Sequence, residues 1–238
     1  MLSHDDIAAR NSARVMETHR MDPKRTALLV IDMQRGFMDP AASLYVPTSK
    51  DILGPVKGLV EYCRGAGIPV IFTEFIASPD MPTLRKDPFG PEHLTVEPGS
   101  AEAGRPTGWG LPSGSCVLGA EGAESHDTVE ELKPLPGEPV IRAYTLDKFY
   151  GTPLDLALRS RDIRFLMVTG LLADLCVLST VFSANAREYR VTAITDGITT
   201  LWPDILKAVY DIFRRKLARL FTAAEAEAEL KGAHGTSR

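Results

Sequence analysis

Residues 163–196 read IRFLMVTGLLADLCVLSTVFSANAREYRVTAITD. The stretch opens on an apolar run, IRFLMVTG (163–170), and closes on a second, YRVTAITD (189–196). The first is apolar on both alternations, as a strand covered on both faces must be. Between them, 174–187 reads as a helix. A strand, a helix and a strand in that order leave the two strands parallel, because the helix carries the chain back to the starting edge. This unit decides the fold class: α/β, with a mainly parallel sheet.

The same alternation extends outward. TALLVIDM (26–33), IPVIFTE (68–74) and EPVIRAY (138–144) read as further strands, and ARLF (218–221) as a short sixth. Helices fall at about 50–66, 153–161, 203–215 and 222–231. In GTPLDLAL (151–158), Thr152 reads as the N-cap, with Pro153 at the first helical position, where its missing N–H costs nothing. Asp155 then favours the positive helix end. The first 24 residues read as a helical arm, lying over the domain or over a neighbouring subunit, and 25–238 as one domain. The segment 75–115 is rich in Pro and Gly and has no period. A connection that long reads either as a lid or binding loop, or as a surface insertion without consequence.

Composition narrows the function classes. A chain of 238 residues suits one well-buried domain, and 44% hydrophobic with 24% charged residues is ordinary for a globular protein. The net charge of −4 is mild, and no basic stripe is interleaved with aromatics, so nucleic acid is not an expected partner. No apolar run approaches the ~20 residues of a membrane helix. The start, MLSHDDIAARNSARVMETHR, is charged throughout and does not read as a secretory signal. Three widely spaced cysteines, Cys63, Cys116 and Cys176, give neither a disulfide framework nor metal-ligand spacing. A reducing cytoplasm is the expected setting.

Ligands of open α/β sheets bind beyond the carboxyl ends of the strands. There the chain places Asp32 after the first strand and Glu74 at the end of the second. Arg142, Tyr144 and Lys148 follow along the third, and Asp174 and Cys176 follow the fourth. A cysteine at a strand-to-helix turn has two readings: an inert core thiol, or a nucleophile at a helix start. A free thiol ionises near pH 8.5, and bringing it to about 6.5 takes ~2.7 kcal/mol. A helix N-terminus supplies roughly 0.3–1 and ~2 kcal/mol at best. The nucleophile reading therefore needs a nearby cation, or a base that takes the proton. Asp32 likewise reads either as a base or as a cap. DMQRGF (32–37) lacks the glycines of a phosphate loop, and no cofactor is expected.

Together, TALLVIDMQRGFMDP (26–40) and FLMVTGLLADLCVLSTVFSANAREYRVTAITDG (165–197) resemble the isochorismatase-like cysteine hydrolases. This family includes nicotinamidases, N-carbamoylsarcosine amidohydrolase, biuret and ureidoacrylate hydrolases, and isochorismatase itself. GSCVLGAEGAE (114–124), KPLPGEPVI (133–141) and FYGTPLDLALRSRDIRFL (149–166) extend the resemblance to about residues 24–231. It implies a three-layer α/β/α domain with a six-stranded parallel sheet, often assembled as a dimer or tetramer. It also implies an Asp–Lys–Cys triad acting on a small molecule. Asp32 would be the base and acid, and Cys176 the nucleophile. A cis peptide between Leu171 and Leu172 would present the Leu172 N–H, beside that of Cys176, to an oxyanion.

The resemblance breaks at the lysine. Counting back from Phe149, the family's lysine position holds Ala143. Arg142 after a local slip, Lys148 from the loop, or no cation at all would follow. Phe37 would wall the pocket or sit in the core beneath it. Glu74, Trp109, Arg142 and Tyr144 would be substrate contacts. Nicotinamidases carry an Asp-x-His-x-x-His-like metal cluster after strand two. FTEFIASPDM (72–81) has no histidine, and His93 and His126 stand isolated, so no metal is expected. The implied activity is thiol-dependent cleavage of a C–N bond in an amide, ureido or carbamoyl compound. Its rivals are a binding protein that has lost catalysis and a thiol-independent hydrolase of the isochorismatase type.

Overall fold

The computed structural model describes residues 3–42, 44–77, 118 and 122–235. Most of the 75–115 segment, with His93 and Trp109, lies outside the described residues, as does Cys116. Six strands form one sheet: β1 (Thr26–Ile31), β2 (Val70–Phe75), β3 (Val140–Ala143), β4 (Phe165–Leu171), β5 (Arg190–Thr199) and β6 (Ala218–Phe221). Their order is β3-β2-β1-β4-β5-β6, and every pairing is parallel. The central strands β1, β2 and β4 are buried along their whole length, whereas edge strand β3 alternates exposed and buried. The doubly apolar runs are thus the strands with helices on both faces.

Alternation along β1 sorts the core into two halves. Leu28 and Val30 join a cluster with Val56, Leu59, Ala226 and Leu230, contributed by α3 (Ser49–Ala66) and α7 (Ala223–Gly235). Ala27, Leu29 and Ile31 face the other way, into a cluster with Leu154, Val181 and Val209. Those three come from α4 (Leu154–Arg159), α5 (Leu178–Ala186) and α6 (Pro203–Ile212). The N-terminal helix α1 (His4–Thr18) lies against β6 and the turn Phe213–Leu217, and α2 (Arg35–Met38) follows β1. Among the described residues, no helix is long and apolar enough to cross a membrane.

Three local expectations are corrected. Helix α4 starts at Leu154, with Pro153 rather than Thr152 at the cap. The Thr152 hydroxyl still accepts from the Leu154 N–H at 3.3 Å, while it donates to the Lys148 carbonyl at 2.5 Å. The helix expected over 174–187 opens instead with a π-turn, Ala173–Val177, and α5 begins only at Leu178. The helix expected over 203–215 also changes to a π-turn, at Phe213.

Gly170 locks β4 to β1. Its φ is +113°, and a Cβ there would stand 1.9 Å from the Ile31 carbonyl oxygen, so no other residue fits. The β4–β5 register shifts between Val168 and Gly170, and pairing resumes at Gly170–Ile198 and Leu171–Thr199, just before the cysteine turn.

Candidate active site

Strand order reverses between β1 and β4, and the crevice beyond that point is where a doubly wound sheet receives a ligand. Asp32 lies one residue past β1, fully buried, with φ +51°. Thr73, the partner of Ile31 in the neighbouring strand, donates its hydroxyl to Asp32 Oδ1 at 2.6 Å. The other carboxylate oxygen, Oδ2, is 2.7 Å from Lys148 Nζ, and both side chains are fully buried. Cys176, 2% exposed, interacts with both Lys148 and Asp32. Lys148 and Cys176, 116 and 144 positions from Asp32 in the chain, thus meet it in one buried cluster.

Lys148 reaches this place from a loop. Its ammonium donates to the Thr145 carbonyl at 3.2 Å and lies 4.7 Å from the centre of the Phe75 ring, a favourable cation–π distance. Arg142 takes another path. It pairs with Glu74 at 3.3 Å, and its side chain is 58% exposed. The cation beside Asp32 is therefore Lys148.

Burial pushes the Cys176 thiol well above its ordinary range; Lys148 opposes that shift and Asp32 adds to it. Burial also opposes charge on Lys148, but Asp32 and Cys176 outweigh it and hold the amine above its usual range. Burial thus favours the protonated thiol, and the Lys148 ammonium is the neighbour that works against it.

The turn around the thiol is tightly bound. The Leu171–Leu172 peptide is cis. The Leu172 carbonyl accepts from Leu175 and Val177, both at 3.1 Å, spanning the N–H of Cys176. Asp174 accepts from Thr200, whose carbonyl accepts from Thr48 at 2.9 Å. That chain ties the turn to the start of α3.

The other named residues stand apart from this cluster. Alternation puts Glu74 on the opposite face from Thr73. There its Oε1 accepts from the backbone and hydroxyl of Thr128 at 3.1 and 3.2 Å. Phe37 is 1% exposed and packs into the core cluster on the α3 face. Tyr144 is 38% exposed just past β3. His126 is not isolated, as its sequence context suggested. Its Nδ1 lies 3.5 Å from Glu74 and 3.3 Å from Asp127. Ligand atoms of Glu74, His126 and Asp127 lie within 4.8 Å of one another. The Arg142 guanidinium also lies 3.3 Å from Glu74 Oε2, the oxygen that His126 approaches.

A separate cavity of about 470 Å³ opens between α2, the start of α3 and residues 125–131, and none of Asp32, Lys148 or Cys176 lines it. Thr73 and Phe75 escaped the sequence reading, although strand alternation would have offered Thr73 as readily as Glu74.

Residues 26–225 match the sequence model described as the isochorismatase domain. Ureidoacrylate amidohydrolase RutB of Caulobacter segnis is 28% identical over 231 residues, covering 90% of this chain and 88% of the relative. N-carbamoylsarcosine amidase from Thermoplasma acidophilum superposes with a TM-score of 0.64 at 26% identity, covering 84% of this chain and 98% of that one. A cysteine hydrolase from Pseudomonas syringae pv. phaseolicola shares the fold, with a TM-score of 0.69 at 23% identity, over 90% of this chain and 96% of that one.

Proposed function

The chain belongs to the isochorismatase family, and from that premise we propose that it is a cysteine-dependent amidohydrolase cleaving a C–N bond of a small amide, ureido or carbamoyl compound. The observation that carries the reading is the Lys148–Asp32 ion pair closed around the buried thiol of Cys176. Relatives named as a ureidoacrylate amidohydrolase and an N-carbamoylsarcosine amidase support the bond type.

In this reading Asp32 takes the thiol proton as Cys176 attacks the carbonyl or ureido carbon. The N–H groups of Leu172 and Cys176 stabilise the oxyanion, where one donor is typically worth about 3–4 kcal/mol. Asp32 then gives its proton to the departing ammonia or amine, leaving a thioester. Water, deprotonated by the same carboxylate, attacks the thioester, and the thiol leaves with the proton. Lys148 keeps its proton throughout and holds Asp32 oriented and charged between transfers. No step uses a metal or cofactor. The reading further places the chain in a reducing cytoplasm, since the chemistry needs a free thiol, and expects a homo-oligomer, a dimer or tetramer.

The test is a screen of amides, ureides and carbamoyl compounds for ammonia release, with Cys176→Ala as control. Turnover of at least one compound, abolished in Cys176→Ala with the fold retained, is the expected result. Turnover that survives in Cys176→Ala would identify a thiol-independent hydrolase. Binding without turnover by the unaltered protein would identify a member that has lost catalysis.

A further inference from the structure

We infer that Asp147 is the positioning residue of this site: by clamping the 144–152 loop to α5, it fixes the Lys148 ammonium between Asp32 and Cys176. The inference rests on the amidohydrolase reading only for its consequence in turnover.

Lys148 belongs to no strand or helix, and residues 144–149 form a succession of bends. No ladder of backbone hydrogen bonds fixes its height or direction, and a lysine side chain is flexible. Yet its ammonium is fully buried, 2.7 Å from Asp32 Oδ2. Something must supply the rigidity that a strand would give.

The bonds around Asp147 supply it. Its Oδ1 accepts from the Phe149 N–H at 2.8 Å, and its Oδ2 accepts from the Ser183 hydroxyl of α5. Its carbonyl accepts from the Thr145 hydroxyl at 2.9 Å and the Tyr150 N–H at 3.3 Å. One carboxylate therefore folds the loop on itself and fastens it to a helix. The next residue adds a second stitch, as the Lys148 N–H donates to the Thr180 hydroxyl at 3.2 Å. Thr180 and Ser183 are three residues apart, hence on one face of α5.

That helix continues directly from the turn holding Cys176. Thiol and ammonium are thereby referenced to one rigid element, although 28 residues separate them in the chain. Displacements near 1 Å typically cost about 10²-fold in rate, so a loop-borne lysine gains most from such a clamp. Asp147 touches neither Asp32 nor Cys176 and acts through Lys148. The charged groups facing the thiol are Lys148 from the loop and Asp32 from the end of β1.

The test measures the charge felt at the thiol, which a general loss of stability does not alter. Cys176 is alkylated with iodoacetate, an anion, and with iodoacetamide, its neutral counterpart, and the rate ratio is followed by peptide mass. An ammonium beside the thiol raises that ratio, and Lys148→Ala sets its lower limit. In Asp147→Ala the ratio should fall about fivefold toward that limit, the worth of one charge pair near 4 Å under water-like screening. Asp147→Asn, which can still accept from Phe149 and bond Ser183, should keep the ratio of the unaltered protein. A ratio unchanged in Asp147→Ala overturns the inference, whatever its melting temperature. Should Asp147→Ala fail to fold, Ser183→Ala decides: a lowered ratio supports the clamp, and an unchanged one overturns it. The ratio requires no turnover, so a failed amidohydrolase reading would appear in the ammonia screen and leave this result standing.

Discussion

Asp32 occupies a left-handed backbone conformation, φ +51°, which costs an ordinary L-residue roughly 1–2 kcal/mol. Its hydrogen bond from Thr73 and ion pair with Lys148 hold it there. The two cations near β3 make opposite predictions. Lys148→Ala strips Asp32 of its ion-pair partner among the described residues and should lower kcat/KM about 100-fold or more. Arg142→Ala should change it no more than about twofold, as befits a half-exposed residue bound elsewhere. Steady-state kinetics on the best compound of the ammonia screen measures both, and a larger loss in Arg142→Ala would reverse the assignment. Asp32 and Cys176 were legible in the sequence because strand ends mark the sheet's binding edge. Lys148 was not fixed, because the residue closing β3 is Ala143 and the path of a loop carries no period. Glu74 drew attention as the more polar residue, but only the β1–β2 register reveals that Thr73 is the one turned toward Asp32.

Elements were legible to the extent that periodicity encodes them. All six strands stand where apolar runs put them, but the π-turn at 173–177 carries the same residues as an α-helix and differs by one residue of spacing. Helix α4 starts one residue later than its sequence suggests, yet Thr152 still accepts from the Leu154 N–H while its hydroxyl donates to the lysine loop. Helix α1 closes on a titrating side chain. His19, which closes it, is held down to about 4, first by burial and then by Arg219 and Arg190. Between the ordinary histidine value of 6.5 and about 4, the unfolded chain binds a proton that the folded chain refuses. Stability from this group is therefore complete above pH 6.5 and declines as pH falls through that window. Melting temperatures from pH 7 to 4.5 should fall more steeply for the unaltered protein than for His19→Gln. Parallel curves would show that the imidazole does not bear on the seating of α1. Glu229, its carboxyl held below the usual range despite burial by Arg219 and the Met21 N–H, loses its contribution only as pH falls from the ordinary 4.5 downward, at the acid end of this range.

At the scale of the whole molecule, the strand order reverses between β1 and β4, the point at which a doubly wound sheet opens a crevice for a ligand. The fold places two opposite charges there at zero exposure, an arrangement that stability alone does not favour. Removing both from water costs several kcal/mol each, and their attraction recovers that only in good geometry. The consequence is an asymmetry between single and double substitutions. Lys148→Met leaves a buried carboxylate unpaired and should lower unfolding free energy by about 3–5 kcal/mol. Asp32→Asn, which tolerates the left-handed backbone, leaves a buried ammonium unpaired and should cost a similar amount. The double substitution leaves neither charge, so its loss should fall far short of the sum of the two single losses. Urea unfolding of the four proteins closes the cycle. A double variant as unstable as the two single losses added together would mean that the pair is not coupled. A double variant that is both stable and inactive in the ammonia screen would separate what the fold needs at this crevice from what the chemistry needs there.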